Sequence, residues 1–136
     1  MQYSVGTSGA TSLTGSTSGA TSATGLRYTA MKNLFALPST NLLEAAFGLA
    51  SKDSAGDAEI LTAALRGAAT LQTAFPATAT GSRMAMIARL ISVASTLGVK
   101  RQVFFVQLGG WDLHGGQAEG HAPLLAETSA AIAAFY

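Results

Sequence analysis

The stretch FFVQLGGWDLHGG, residues 104–116, combines an apolar run with a loop rich in glycine and ionisable side chains. Its first residues belong to the run VFFVQL at 103–108, which is continuous, β-branched and aromatic. A short run of this kind predicts a strand that is buried on both faces of a sheet. The glycines that follow let the backbone turn sharply, so Asp112 and His114 are expected on a short, open loop.

Elsewhere in the chain, apolar residues recur at three- and four-residue spacing, which is typical of helices that bury one face. The predicted helices lie near 41–51, 57–74, 82–97 and 122–136. In the third of them, the predicted buried stripe consists of Met84, Ile87, Ala88, Ile91, Ala94 and Leu97. Helices on either side of a buried strand predict an α/β fold, and residues 29–136 are expected to form a partial α/β domain that is mostly helical.

A single strand cannot form a sheet, and a strand buried on both faces needs strand neighbours and covering helices. The chain is therefore predicted to be a fragment of a larger α/β protein. The remainder of the parent chain, or another subunit, is expected to complete the sheet.

Residues 1–28 are predicted to be a flexible segment rich in Gly, Ser and Thr. The sequence TSGATS occurs there twice, at 7–12 and at 17–22. Such a tract has too little apolar surface to offset the entropy of ordering it. The alternative interpretation is an adhesive or surface-structural tract.

The composition excludes several classes of function. The 136 residues carry a net charge of +1 without charge runs, which argues against a nucleic-acid partner. Cysteine is absent, so disulfides, thiolate metal sites and cysteine nucleophiles are excluded. No apolar window is long enough for a membrane span, and the first residues carry no export signal.

The glycine-flanked loop is the candidate site. Asp112 and His114 can share a divalent metal ion through oxygen and nitrogen ligands, and His121 or Glu119 could approach the same ion. The competing interpretation is structural: Asp112 caps a turn, His114 bonds a backbone carbonyl, and His121 lies at a helix N-terminus. The sequence has no motif for a serine nucleophile or a phosphate-binding loop, so no catalytic nucleophile is identified.

One combination of motifs favours the metal-site interpretation over the structural one. In order along the chain it consists of Lys100-Arg101-Gln102, Leu108-Gly109-Gly110-Trp111-Asp112-Leu113-His114, His121, Leu124-Leu125 and Ala134-Phe135-Tyr136. With these motifs the segment Phe75–Tyr136 resembles the middle of the domain of unknown function 1501 family, which is sulfatase-like. Leu113 stands where that family usually has threonine.

This resemblance implies a doubly wound alkaline-phosphatase-like sheet whose loops hold a divalent metal centre, with up to two ions in the full-length protein. It implies a metal-dependent hydrolase of phosphate or sulfate esters, with Asp112 and His114 as metal ligands and His121 as a further candidate. The rest of the site loop is Gly109, Gly110, Trp111, Gly115 and Gly116. It also implies export to the periplasm or cell surface. The alternative is a non-catalytic exported binding or surface-assembly protein that retains the fold.

Overall fold

A computed structural model describes residues 5–10 and 23–136. These ranges contain a short hairpin and four helices. The elements are β1 (Val5–Gly6), β2 (Gly9–Ala10), α1 (Ala23–Phe35), α2 (Leu42–Arg66), α3 (Ala79–Ser92) and α4 (Gln117–Phe135). The chain divides into two compact units, the first ending at Ala63 and the second made of Ala64–Tyr136 with Gly6–Gly9. Among the described helices, none is both long and apolar enough to span a membrane.

In the first unit, polar and aromatic contacts join α1 to α2. The Lys32 ammonium lies 3.0 Å from each carboxylate oxygen of Glu59. Burial, together with the Glu59 carboxylate, raises the pKa of Tyr28 to about 12, whereas the Lys32 ammonium lowers the pKa of Glu59. The Phe35 and Phe47 rings meet edge to face, with centroids 6.2 Å apart.

The predicted cap at the start of the helix near 41–51 is confirmed. The Asn41 side-chain oxygen accepts hydrogen bonds from the backbone N–H groups of Leu43 at 2.9 Å and Glu44 at 3.3 Å. These N–H groups lie in the first turn, where they have no partner within the helix.

The helices predicted at 41–51 and 57–74 are a single helix, α2, which ends at Arg66. Asp57 lies in its interior and does not begin a new helix. The residues between the two predicted helices, 52–56, include no proline, so nothing interrupts the backbone hydrogen-bond ladder. A capping residue type alone therefore did not start a helix at Asp57.

In the second unit, α3 and α4 pack against each other. The buried apolar side chains of α3 are Met86 and Leu90, Val93 is buried directly after the helix, and Ala131 is buried on α4. The buried stripe predicted for this helix lies on a different face from these residues. Ile91, one of the predicted buried residues, is 46% exposed. The helix carries apolar residues around most of its circumference, so the period indicated a helix but did not select the buried face.

Both helices of the second unit begin earlier than predicted. The predictions were 82–97 and 122–136, whereas α3 begins at Ala79 and α4 at Gln117. The Thr78 hydroxyl caps α3 by accepting a hydrogen bond from the Gly81 N–H at 3.1 Å. After Ser92 the chain continues in turns through Gly98, which has a positive φ of 66°.

The predicted doubly wound α/β fold is wrong for the described residues. The sheet that they contain has two strands, β1 and β2, and residues 103–108 are not paired in it. The predicted burial of 103–108 on both faces is also wrong, because Val103 is 97% and Phe105 89% exposed. Strand propensity describes side chains that suit a sheet, but a strand also requires a neighbour for its backbone groups.

Two parts of the segment 1–28, which is predicted to be flexible, lie within the described residues. Residues 5–10 form the hairpin, and α1 begins at Ala23. The remaining residues of that segment, including most of the TSGATS repeats, lie outside the described residues.

Candidate functional site

The loop at 109–116 joins the extended segment 102–108 to α4. Gly110 has a φ of 86° and Gly116 a φ of 61°. Residues with side chains rarely adopt such angles, so glycine is required at both ends of the Trp-Asp-Leu-His sequence. Gly116 is also the residue that precedes the first turn of α4, without a side-chain cap.

Leu113 attaches this loop to the beginning of α4. Its side chain packs so closely on Gly120 that a Cβ atom there would overlap the Leu113 Cδ1 atom. The Gln117 amide donates a hydrogen bond of 3.2 Å to the Leu113 carbonyl. Leucine thus provides an apolar anchor at the position where the resembled family has threonine.

His121 makes a second attachment between α4 and the loop. Its Nε2 atom lies 3.0 Å from the Trp111 carbonyl oxygen, and the two rings stack at a tilt with centroids 5.6 Å apart. A carbonyl oxygen only accepts, so Nε2 carries the hydrogen of this bond. In the neutral imidazole, the lone pair then lies on Nδ1. His121 is the fifth residue of α4, so it does not lie at the helix N-terminus as the structural interpretation expected.

Asp112 and His114 are both exposed, whereas Trp111 and Leu113 are half-buried. This alternation is that of an extended backbone, in which side chains two residues apart lie on the same side. Neither exposed side chain hydrogen-bonds another described residue, so the turn cap and the carbonyl bond of the structural interpretation are not formed there. The carboxylate and the imidazole are therefore both exposed to solvent.

The third predicted ligand is not brought to this pair. Among residues 5–10 and 23–136, no group of three His, Asp or Glu side chains is close enough to hold one metal ion. Glu119 lies in the first turn of α4, near Gly116. The described part of the chain thus offers two exposed donors in the loop and one histidine held by a carbonyl. Zinc sites need three protein ligands or four.

Sequence reasoning missed two hydrogen bonds made by charged side chains of α3 and α4. The Arg83 guanidinium on α3 donates a 2.6 Å hydrogen bond to the carbonyl of Gln107. The Glu127 carboxylate on α4 accepts the backbone N–H of Thr80 at 3.1 Å. Hydrogen bonds from Thr80, and next from Thr78, hold the pKa of Glu127 below its ordinary value, with a smaller contribution from Arg83. The run Thr-Ala-Thr-Gly at 78–81 was the available signal for this helix start.

No family model matches the chain, and comparison with curated proteins and with solved structures finds no significant match. The resemblance of residues 75–136 to the sulfatase-like family therefore stays a prediction.

Proposed function

We propose that the loop at 109–116 supplies part of a divalent-metal site in a hydrolase of phosphate or sulfate esters. The observation that supports this most directly is the arrangement of Asp112 and His114. They are both exposed on a short loop whose intervening residue, Leu113, is anchored on α4. A carboxylate and an imidazole are common ligands of zinc and manganese, so their donor chemistry fits such an ion.

His121 is the further candidate ligand, although among the described residues it forms no group of three with Asp112 and His114. Metal-ligating histidines commonly donate the hydrogen of the other ring nitrogen to a carbonyl or carboxylate, which orients the ring. The Trp111 carbonyl occupies that position for His121 and leaves Nδ1 as the donor to a metal. The ligands still missing are proposed to come from polypeptide outside the described residues or from another subunit.

A bound divalent ion would polarise the ester and activate the attacking nucleophile. In this chain, Asp112 and His114 act as ligands and not as general acid or base. Leu113, Gln117 and Trp111 position them by holding the loop on α4. The family resemblance further supports a site with up to two ions and export to the periplasm or cell surface. The net charge of +1, without charge runs, argues against a nucleic acid as the partner.

The second candidate is a non-catalytic exported binding or surface-assembly protein. It is favoured by the exposed apolar side chains at Val103 and Phe105, which resemble an interaction surface more than an enzyme surface. A binding protein of this kind needs the fold and the surface, but no third metal ligand.

Metal uptake by the full chain distinguishes the candidates. We would measure bound zinc, manganese and calcium by equilibrium dialysis and elemental mass spectrometry, for the wild type and for a variant with Asp112→Asn and His114→Gln. Asp53→Asn is the matched control, because Asp53 is an exposed aspartate of α2 far along the chain from the loop. We expect saturable uptake that the double variant loses and the control keeps.

Equal uptake by the wild type and the double variant would contradict the metal site. If the ion is bound, hydrolysis of p-nitrophenyl phosphate and p-nitrophenyl sulfate is measured with the same set of variants. Turnover that requires both Asp112 and His114 supports the hydrolase. Metal binding without turnover of either ester favours the binding protein.

A further inference from the structure

The segment 102–108 has a backbone edge without partners in the described part of the chain. It lies in no helix or strand, and residues 100–108 make no backbone–backbone hydrogen bond with other described residues. Among the described residues, the hydrogen bond made to its backbone is the 2.6 Å bond from Arg83 to the Gln107 carbonyl. Unpaired backbone donors and acceptors in an extended chain bind best to another extended chain.

The two edges of this segment differ. Exposure alternates strictly along it, which is the two-residue period of an extended backbone. In such a backbone, the N–H and C=O groups of alternate residues point to opposite edges. Arg83 occupies the edge to which Gln107 points, and that edge is shared with Val103 and Phe105. The backbone groups of Phe104 and Val106 point to the opposite edge, where they make no hydrogen bond with residues 5–10 or 23–136.

The side chains of the segment also suit strand pairing. Val103 and Phe105 are 97% and 89% exposed, while Phe104, Val106 and Leu108 are half-buried on the other face. A β-branched and aromatic row next to an open backbone edge is a template for strand addition.

We propose that this segment pairs antiparallel with the same segment of a second copy of the chain, along the open edge and centred on Val106. Two identical segments can satisfy each other's backbone hydrogen bonds in one closed dimer with two-fold symmetry. In this register Phe104 lies opposite Leu108 of the second copy, and Phe105 lies opposite its Gln107. The half-buried faces of both copies then stay on one side of the two-stranded ribbon.

The charges at the two ends of the segment favour a second copy as the partner and favour the antiparallel direction. Lys100 and Arg101 precede the segment and Asp112 follows it. Antiparallel pairing brings the basic pair of one copy to the end at which Asp112 of the other copy lies. Parallel pairing would place the two basic pairs side by side, which is unfavourable.

Metal binding uses the side chains of Asp112 and His114, whereas strand pairing uses mainly the backbone of 104–108, so either can fail without the other. The dimer is expected in the presence of a chelator, and the variant with Asp112→Asn and His114→Gln is expected to keep most of it, since those two side chains lie outside the backbone pairing.

The mass of the full chain in solution tests the pairing. Sedimentation equilibrium over a concentration series is measured for the wild type, Val106→Pro and Gln107→Pro. Proline removes one backbone N–H, which at 106 points to the open edge and at 107 to the edge that Arg83 occupies. At high concentration, we expect the measured mass to reach that of a dimer for the wild type and for Gln107→Pro. For Val106→Pro we expect the dissociation constant to rise about tenfold or more. Circular dichroism checks that each variant keeps its helices.

A second measurement tests the register without proline. The chain has no cysteine, so single-cysteine variants are free of side reactions. A mixture of Phe105→Cys and Gln107→Cys chains is expected to form a disulfide between copies, because directly opposite Cβ atoms are close enough for the bond. Ser129→Cys, at an exposed position of α4, is the control and should stay uncrosslinked. A monomer at every concentration, an open-ended series of oligomers, or a dimer equally stable in Val106→Pro would overturn the proposal.

Discussion

Replacing Gly81 with alanine tests how closely α3 begins against the preceding chain. A Cβ atom at Gly81 would overlap the backbone carbonyl of Pro76, which cannot rotate aside as the end of a side chain can. At Gly56, inside α2, nothing lies within 4 Å of the same atom. Comparing the same substitution at these two helical glycines therefore isolates the steric cost of the added Cβ atom.

The expected magnitudes have opposite signs. Alanine in place of glycine in a helix gains up to about 1 kcal/mol. Forcing an extra carbon into a packed site costs about 1–3 kcal/mol. We therefore expect Gly81→Ala to lower the free energy of unfolding by about 1–2 kcal/mol, and Gly56→Ala to raise it by about 0.5–1 kcal/mol.

Urea unfolding measures both effects. Trp111 is the single tryptophan of the chain and lies in the same compact unit as Gly81, so its fluorescence follows that unit. Far-ultraviolet circular dichroism follows the helices, including α2. If Gly81→Ala is as stable as the wild type while Gly56→Ala is stabilised, then the Pro76 carbonyl does not lie against α3 and the reasoning is refuted.

Two further changes test the contacts described above. Because the pKa of Glu59 is lowered, its pairing with Lys32 stabilises the fold above the ordinary glutamate pKa and is lost as the pH falls through the folded value. For so exposed a pair, Lys32→Met should lower the free energy of unfolding by about 0.2–1 kcal/mol at pH 7. The free energy of unfolding, measured in urea, should also fall less steeply with decreasing pH in the variant than in the wild type. Equal slopes would contradict the pairing. Leu113→Ala removes the half-buried anchor on Gly120 and should cost about 1–2 kcal/mol. It should also speed amide hydrogen exchange at Asp112 and His114, and unchanged exchange would show that Leu113 does not hold the loop.

The helical parts of the fold were largely accessible from the sequence, because the three- to four-residue period and the caps are local properties. Asn41 caps its helix as predicted, and the helices near 82–97 and 122–136 are present with earlier starts. The predictions of helix bounds failed where the surrounding structure outweighed a local sequence signal. Asp57 is a good capping residue, but the helix around it continues because its backbone bonds are already formed.

The sequence also located the candidate site, because glycines with positive φ and two ionisable side chains between them are a local feature. Asp112 and His114 lie exposed on a short loop between Gly110 and Gly116, as expected. The contact of His121 with the Trp111 carbonyl was not predictable, since it depends on how α4 packs against the loop. The same holds for the Arg83 bond to Gln107, which joins residues 24 positions apart.

By itself, the sequence determined that helices occur near 82–97 and 122–136 and that a glycine-flanked loop exposes Asp112 and His114, because propensity, capping and glycine geometry act over a few residues. The helix α1 was not predicted. Only the tertiary structure decided which face of α3 is buried and that residues 103–108 form no strand within the described part of the chain. The physical reason is that burial and strand pairing depend on partners distant in sequence. An apolar, β-branched run is suited to a sheet, but its backbone hydrogen bonds exist only when a second strand lies beside it.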